Sequence, residues 1–350
     1  MTNSNTVHEG KPWGKDVVVD IADGIAWVAI NRPAKLNAMS AELAFEMLAT
    51  LDALELDESC GVLVLTGVGD SWSAGMDLQD YFRAVDKMNP MEKAQVYRAN
   101  AAWQWGRLVD YPKPTIAMVN GWCFGGAFTP LVACDLAIAA EDAVFGLSEV
   151  NWGIIPGGIV SKVLTEVMSQ RDALYYAMTG ENFDGRKAAD MRLVNEAVPK
   201  DRLKDRTIEV AKSLLEKNPM VVRATKTAIK MSKSLSWEQS SEYLRAKLDQ
   251  TIALDPERGR EKGMRQFLDE KSYGPSGFSV GGVEASGIVS HPLPSPLPSR
   301  ERECQLPSPL AGEGLGERGN CVRTTHSKPG RTNLISLGCK HTAGKRDGEI

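Results

Sequence analysis

Short runs of β-branched and aliphatic residues alternate with stretches of helical spacing through the first part of this chain. Residues 17–21 and 25–30 are two apolar β-type runs separated by Ala-Asp-Gly, a pattern that predicts a hairpin. The polar stretch N-R-P-A-K-L-N-A-M-S follows as a loop and ends at Ser40, a helix N-cap with Glu42 close behind it. From 41 to 56 the apolar residues Leu43, Met47, Leu51 and Leu54 recur at helical spacing, which predicts a helix laying one face on a sheet. Residues 61–66 read as a strand, and a loop through G-V-G-D-S-W-S-A-G enters a helix near Met76 or Asp77. A further helix is predicted over 91–109, where Trp103 and Trp105 are assigned to core packing. Strands alternating with helices imply crossover units and an α/β core.

The apolar runs 115–119 and 136–139 bracket a Gly-rich turn and a short apolar helix starting near Gly125. A strand that feeds such a turn into a helix N-terminus leaves backbone N–H groups free to hold negative charge. One acid, Glu149, follows in a segment crowded with Trp152, Gly153, Pro156 and Gly157. Together these features describe an oxyanion site with a single carboxylate beside it. One or two helices are predicted over 159–178, a short helix over 184–191 and a strand over 193–198. From 201 to 268 the pattern is almost purely helical, broken at Asn218-Pro219, Ser236 and Asp255-Pro256.

Composition sharpens the boundaries of this picture. A chain of 350 residues, 43% of them hydrophobic, can bury a sizeable core. Beyond Tyr273 the character changes: residues 276–350 hold a single aromatic, Phe278, among Pro-, Ser- and Gly-rich repeats such as H-P-L-P-S-P-L-P-S. Such a stretch cannot bury enough apolar surface to offset its ordering entropy, so it is expected to be a disordered or read-through tail. The formal net charge of −4 provides no electrostatic footprint for nucleic acid or an anionic membrane. No apolar run reaches the roughly 18 residues of a membrane span, and the N-terminus lacks a signal-peptide core, so the expected location is cytoplasmic. Histidine occurs only at His8, His291, His326 and His341, which argues against a His-based nucleophile or a His-rich metal site in the body. Of six cysteines, Cys60, Cys123 and Cys134 are expected to be buried free thiols, while Cys304, Cys321 and Cys339 fall in the tail.

N-G-W-C-F-G-G-A, followed by D-L-A-I-A and F-G-L-S-E-V-N-W-G-I-I-P-G, resembles the crotonase (enoyl-CoA hydratase/isomerase) superfamily. Within it the chain resembles the hydroxycinnamoyl-CoA (feruloyl-CoA) hydratase-lyases. The resemblance implies an α/β fold of the ClpP/crotonase-like type, a spiral ββα core with a C-terminal helical trimerisation segment. The corresponding organisation is an arm over 1–14, a core carrying CoA and the active site over 15–200, helices over 201–273 and the tail over 274–350. It further implies hydration and retro-aldol cleavage of a 4-hydroxycinnamoyl-CoA thioester to an aromatic aldehyde and acetyl-CoA, by a homotrimer or a dimer of trimers. CoA would enter as part of the substrate, with no metal and no redox cofactor. Another crotonase activity, hydratase or isomerase, and a non-catalytic CoA- or RNA-binding homologue are the alternatives.

Residue by residue, the family's oxyanion donors map onto the main-chain N–H groups of Met76 and Gly126, and its retained catalytic acid onto Glu149. The first carboxylate of a simple hydratase would stand three residues after Gly126, where this chain has Thr129. Phe145, Trp152 and Ile154 are expected to give Glu149 an apolar setting that raises its pKa. Tyr81 matches a phenol-contacting tyrosine and Trp152 a residue lining the aromatic pocket. The family's second phenol-binding tyrosine falls on Arg245, which either stabilises a phenolate by charge or faces solvent. For the CoA path the resemblance points to Lys35 as a phosphate contact, with Ala74 and Leu78 flanking the oxyanion amide and Ser148 beside Glu149. Plain alternatives stand beside these readings: a tight-turn glycine at 126, core packing at Met76, Tyr81 and Trp152, a surface acid at Glu149, and a solvated lysine at 35.

Overall fold

A computed structural model describes residues 13–270 and 272; the 274–350 tail and nearly all of the 1–14 arm lie outside the described residues. The chain opens with the hairpin of β1 (Val17–Ala22) and β2 (Ile25–Ile30), turned by Asp23 and Gly24 at φ of 53° and 79°. Ser40 caps α1 (Ala41–Leu56) by accepting from the Leu43 N–H at 3.1 Å, and Leu43, Met47, Leu51 and Leu54 are buried, as the spacing required. The fully buried β3 (Val62–Gly67) and the three-residue β4 (Ser71–Ser73) follow. A π-helical turn, Leu78–Arg83, leads through α2 (Ala84–Asp86) to α3 (Pro90–Ala101), which runs into a second π-helical turn, Ala102–Arg107. The next unit is β5 (Thr115–Val119), β6 (Trp122–Phe124), a 3₁₀ turn at Gly125–Ala127 and α4 (Phe128–Ala133). After it come β7 (Leu136–Ala140), β8 (Val144–Gly146), a 3₁₀ turn at Ser148–Trp152, α5 (Val160–Val167) and α6 (Gln170–Thr179). The core closes with β9 (Asn182–Asp184), α7 (Gly185–Asp190) and β10 (Glu196–Val198).

These strands build two sheets, ordered β1-β2-β3-β5-β7-β10 and β4-β6-β8-β9. Every pairing is parallel except β1 with β2 and β8 with β9. Each successive pair (β3 and β4, β5 and β6, β7 and β8) gives one strand to each sheet, so the chain winds as the expected spiral of ββα units. The central parallel strands β3, β5 and β7 are buried on both faces, which is why they read as unbroken apolar runs. Asn37, fully buried at φ 58°, fixes the loop before α1: its side chain donates to Val68 O and Ser71 O and accepts from the Arg32 N–H. Phe128, Phe145 and Phe183 pack beneath the second sheet, the latter two stacked at 5.5 Å.

Four helices complete the described chain: α8 (Leu203–Leu215), α9 (Pro219–Ser232), α10 (Trp237–Leu254) and α11 (Gly259–Leu268). Asn218 caps α9 and Ser236 caps α10 with a capping box, so the breaks read in the sequence are true helix ends. α8 lies on the first sheet and buries Leu203, Thr207 and Ala211, whereas α9, α10 and α11 fully bury no residue. α9 is held by two lysines on one carboxylate: Lys226 and Lys230 reach Asp135 at 2.7 and 2.6 Å and also donate to Lys113 O and Val109 O. Asp135 in turn accepts from the Thr115 N–H and hydroxyl at the start of β5. Among the described residues no helix is long and apolar enough to cross a membrane.

Candidate active site

Two loops meet where the two sheets part. In the first, Met39 N–H donates to Gly75 O at 2.7 Å and Asp77 N–H to Met39 O at 2.9 Å, a parallel bridge between Met39 and Met76. In such a bridge the carbonyl of residue 75 and the N–H of residue 77 face the partner, so the Met76 N–H points to the opposite side. In the second loop, Gly126 is the second residue of the 3₁₀ turn that opens α4, so its N–H lacks an intrahelical acceptor. The loops touch: a Cβ on Gly75 would sit 2.4 Å from Phe124 O and 3.2 Å from the Gly126 N, and one on Gly126 would sit 2.9 Å from Met76 Cγ. Gly75, at φ 86°, is glycine both for its left-handed backbone and for this approach.

The same turn meets Glu149. A Cβ on Gly125 would lie 3.2 Å from Glu149 Oε1, so the carboxylate rests directly over the Gly125–Gly126 backbone. Glu149 Oε2 is buried without a hydrogen-bond partner, and burial pushes its pKa up, an effect its own main-chain N–H partly offsets. A carboxyl so shifted holds its proton more readily than an exposed glutamate does, which suits it to general acid–base work. Thr129 is buried on α4, on the turn of helix that follows Gly126. Thus Met76, Gly126, Glu149 and Thr129 are gathered around one turn.

Tyr81 is carried by the first π-helical turn, whose start is fixed by Asp77 accepting from the Gln79 and Asp80 N–H groups. Its ring is buried against Ala41, Val85 and Val96, with Phe82 edge-on at 5.5 Å and Tyr97 at 6.5 Å. Burial, with a smaller contribution from Tyr97, pushes the phenol up to about 12. It is therefore a neutral hydrogen-bond donor at physiological pH.

Three further site candidates, Lys35, Trp152 and Arg245, are placed as follows. Lys35 is not a free cation: it bonds Asp80 at 2.5 Å and Asp77 at 3.3 Å, within a cluster where Arg32 pairs with Asp16, Asp77 and Asp80. Lys35 belongs first to the set that orders the turn leading to Tyr81, and the acidic partners three residues apart, Asp77 and Asp80, were the overlooked signal. Trp152 is 65% exposed and Ile154 49%, so of the three residues expected to cover Glu149 only Phe145 is buried. Gly153, in the left-handed conformation, ends the 3₁₀ turn and carries the chain outward there. Arg245 is exposed on α10, beside a surface concavity of about 620 Å³ that it lines with Trp237, Glu238, Ser241 and Glu242, and α10 packs on α9. Ala74 is half-buried, with its N–H on Leu36 O, Leu78 is exposed and Ser148 is half-buried next to Glu149. The pattern also concealed Gln104, a buried polar residue between two tryptophans whose side chain donates to the thioethers of Met39 and Met76. Among the described residues no group of three or more His, Cys, Asp or Glu is placed to hold a metal ion.

Comparison with known proteins places the chain among its relatives. Residues 20–274 match the family model described as enoyl-CoA hydratase/isomerase. The chain is 57% identical over 270 residues to the hydroxycinnamoyl-CoA hydratase-lyase of Pseudomonas fluorescens, covering 77% of this chain and 97% of that protein. It is 26% identical to the 2,3-dehydroadipyl-CoA hydratase of Escherichia coli, covering 73% of this chain and 97% of that protein. The crystal structure of an enoyl-CoA hydratase from Bacillus anthracis superposes with a TM-score of 0.65 at 27% identity, over 73% of this chain and 96% of that one.

Proposed function

Because this chain belongs to the enoyl-CoA hydratase/isomerase family, we propose that it adds water to a 4-hydroxycinnamoyl-CoA thioester and cleaves the adduct to an aromatic aldehyde and acetyl-CoA. Feruloyl-CoA is the proposed substrate and vanillin its aldehyde. One observation carries the reading: a single carboxylate, the half-buried Glu149 with its Oε2 buried and unpartnered, lies over the Gly125–Gly126 turn, with Thr129 where a second acid would serve a simple hydratase. The 57% identity to a hydroxycinnamoyl-CoA hydratase-lyase supports the same choice.

In the proposed mechanism the thioester oxygen accepts from the Met76 and Gly126 N–H groups, which stabilise the enolate; one such donor is worth about 3 to 4 kcal/mol in the transition state. Glu149 takes a proton from water as the oxygen bonds to the β-carbon, then delivers it to the α-carbon. In the second half, Glu149 takes the β-hydroxyl proton, the bond between the α- and β-carbons breaks, and the electron pair passes into the thioester enolate. That enolate is reprotonated at the α-carbon by Glu149, giving acetyl-CoA, and the former β-carbon leaves as the aldehyde. Both halves are redox-neutral and need neither a redox cofactor nor a metal. Electron release from the para-oxygen assists cleavage, and Tyr81, a neutral phenol, is the proposed donor to that oxygen. The nucleotide end of CoA is assigned to the Lys35 side of the site, past Ala74 and Leu78, with Ser148 beside Glu149 at the same wall. Lys35 would then exchange one of its aspartate contacts for a phosphate.

A homotrimer or a dimer of trimers is proposed from the apolar stripe left open on α10, Leu244, Leu248 and Ile252 at helical spacing. In such an assembly Arg245 and Trp152, both exposed in the single chain, would complete the aromatic end of a site. The cytoplasm is the proposed setting, in keeping with the buried free thiols of Cys60, Cys123 and Cys134. The deciding assay offers the protein feruloyl-CoA and, separately, crotonyl-CoA. Aldehyde and acetyl-CoA from the first with little action on the second is the expected result; hydration of crotonyl-CoA without aldehyde would overturn the lyase reading.

A further inference from the structure

Gln104 lies in the second π-helical turn, Ala102–Arg107, and is 6% exposed. Its Nε2 donates to Asn100 Oδ1 at 2.9 Å and reaches Met76 Sδ at 3.4 Å and Met39 Sδ at 3.5 Å. These are the two residues of the bridge that turns the Met76 N–H outward. Their side chains also form the wall of the second loop: a Cβ on Gly126 would sit 3.3 Å from Met76 Sδ and 3.6 Å from Met39 Cε. Methionine is the most pliable of core side chains, so a bridge built from two of them has little stiffness of its own. A buried amide that engages both sulfurs removes that freedom. The π turn supplies the geometry: its extra residue turns a polar side chain inward from a helix whose neighbour Trp103 is fully buried.

We infer that Gln104 is a positioning residue of the oxyanion site, which fixes the Met76 N–H relative to the Gly125–Gly126 turn by donating to the Met76 and Met39 thioethers. The role as part of a reaction rests on the proposed lyase function; the clamp itself does not. Gln104 touches no reacting atom in this scheme and acts through Met76.

Two variants of the full chain separate donation from packing. Gln104→Met keeps an unbranched side chain of similar volume and a soft contact to both sulfurs but has no N–H; Gln104→Leu removes both. With feruloyl-CoA, both variants are expected to lose about tenfold or more in kcat with KM little changed, a part of the 100- to 1000-fold lost when an oxyanion donor is removed outright. With the saturated analogue 3-(4-hydroxy-3-methoxyphenyl)propionyl-CoA, ¹³C-labelled at the thioester carbonyl, isotope-edited infrared spectra are expected to show a less polarised carbonyl than in the unaltered protein. A Gln104→Met protein with unaltered kcat and carbonyl frequency would reduce Gln104 to packing and overturn the inference. If the unaltered protein neither binds the analogue nor cleaves feruloyl-CoA, the lyase reading fails, and the clamp is judged by NMR of ¹³C-methyl methionines. Methyl resonances of Met39 and Met76 that stay in place in Gln104→Leu would then overturn it.

Discussion

At the scale of single residues, the proposed chemistry turns on how Glu149 is kept. A carboxylate with one buried, unpartnered oxygen is costly to ionise, so its folded pKa lies above the ordinary glutamate value. The acid limb of the kcat/KM profile is therefore expected above the range of a solvent-exposed glutamate, since the base form is required to take a proton from water. Stability has the opposite sense. The penalty for the buried charge is present above the folded pKa and fades as pH falls through it towards the unfolded value. Glu149→Gln is expected to lower kcat by about 100- to 10,000-fold, the range of a lost general acid–base group. The same variant should unfold at a higher temperature than the unaltered protein at pH 8, with the gain shrinking as the solution is acidified. Thermal unfolding of both proteins across that pH range checks this, and a gain that grows on acidification would contradict it. Glu149 was legible because it is the one acid in an apolar, glycine-rich segment. Gln104 was not, because a lone polar residue between Trp103 and Trp105 reads as a helix turning one face to water. The π turn that brings it inward leaves no mark in the 3.6-residue period.

At the scale of elements, the long ones announce themselves and the short ones do not. β1, β2, α1, β5 and the helices capped by Asn218 and Ser236 were readable because each spans enough residues for its pattern to show, and the three helices start on a residue with a specific capping chemistry. The second sheet is made of strands three residues long, β4, β6, β8 and β9, below the length at which alternation can be recognised. They exist because the first sheet dictates where each chain segment emerges, a tertiary constraint with no local signature. Their function is to hold the loops of Met76 and Gly126 edge to edge, and the tolerance is small. Gly75→Ala would place a methyl 2.4 Å from Phe124 O at a backbone of φ 86°. The two loops must then separate, and a loss of about 100-fold or more in kcat is expected, comparable to deleting one oxyanion donor. Circular dichroism should meanwhile show the fold retained, and an alanine variant with full activity would mean that the loops need not touch.

At the scale of the whole molecule, the helices after α8 present a surface that a single chain leaves open. Leu244, Leu248 and Ile252 line one face of α10, and Trp237 at its start is 90% exposed. If the proposed trimer forms through this face, Leu248→Glu is expected to reduce the mass found by light scattering from that of the proposed assembly towards that of one chain, with aldehyde formation falling alongside it. Retention of a trimer by that variant would place the contact elsewhere. The burial pattern of α10 could be read as amphipathic from its sequence, but which surface covers it could not, because a stripe of leucines specifies apolar contact and not its partner.

The fastening of α9 ties this open arm to the centre of the sheet. Lys226, only 9% exposed, and Lys230 both rely on Asp135, the residue that leads into β7, whose carboxylate is oriented by Thr115 of β5. If β5 and β7 part, two cations lose their counter-ion, one of them in a place water hardly reaches; if α9 lifts away, a carboxylate between two strands is left uncompensated. Opening the sheet and releasing the arm are therefore expected to be one cooperative event, with amide protons of β5, β7 and α9 sharing a common exchange barrier although nearly a hundred residues of chain separate Asp135 from Lys230.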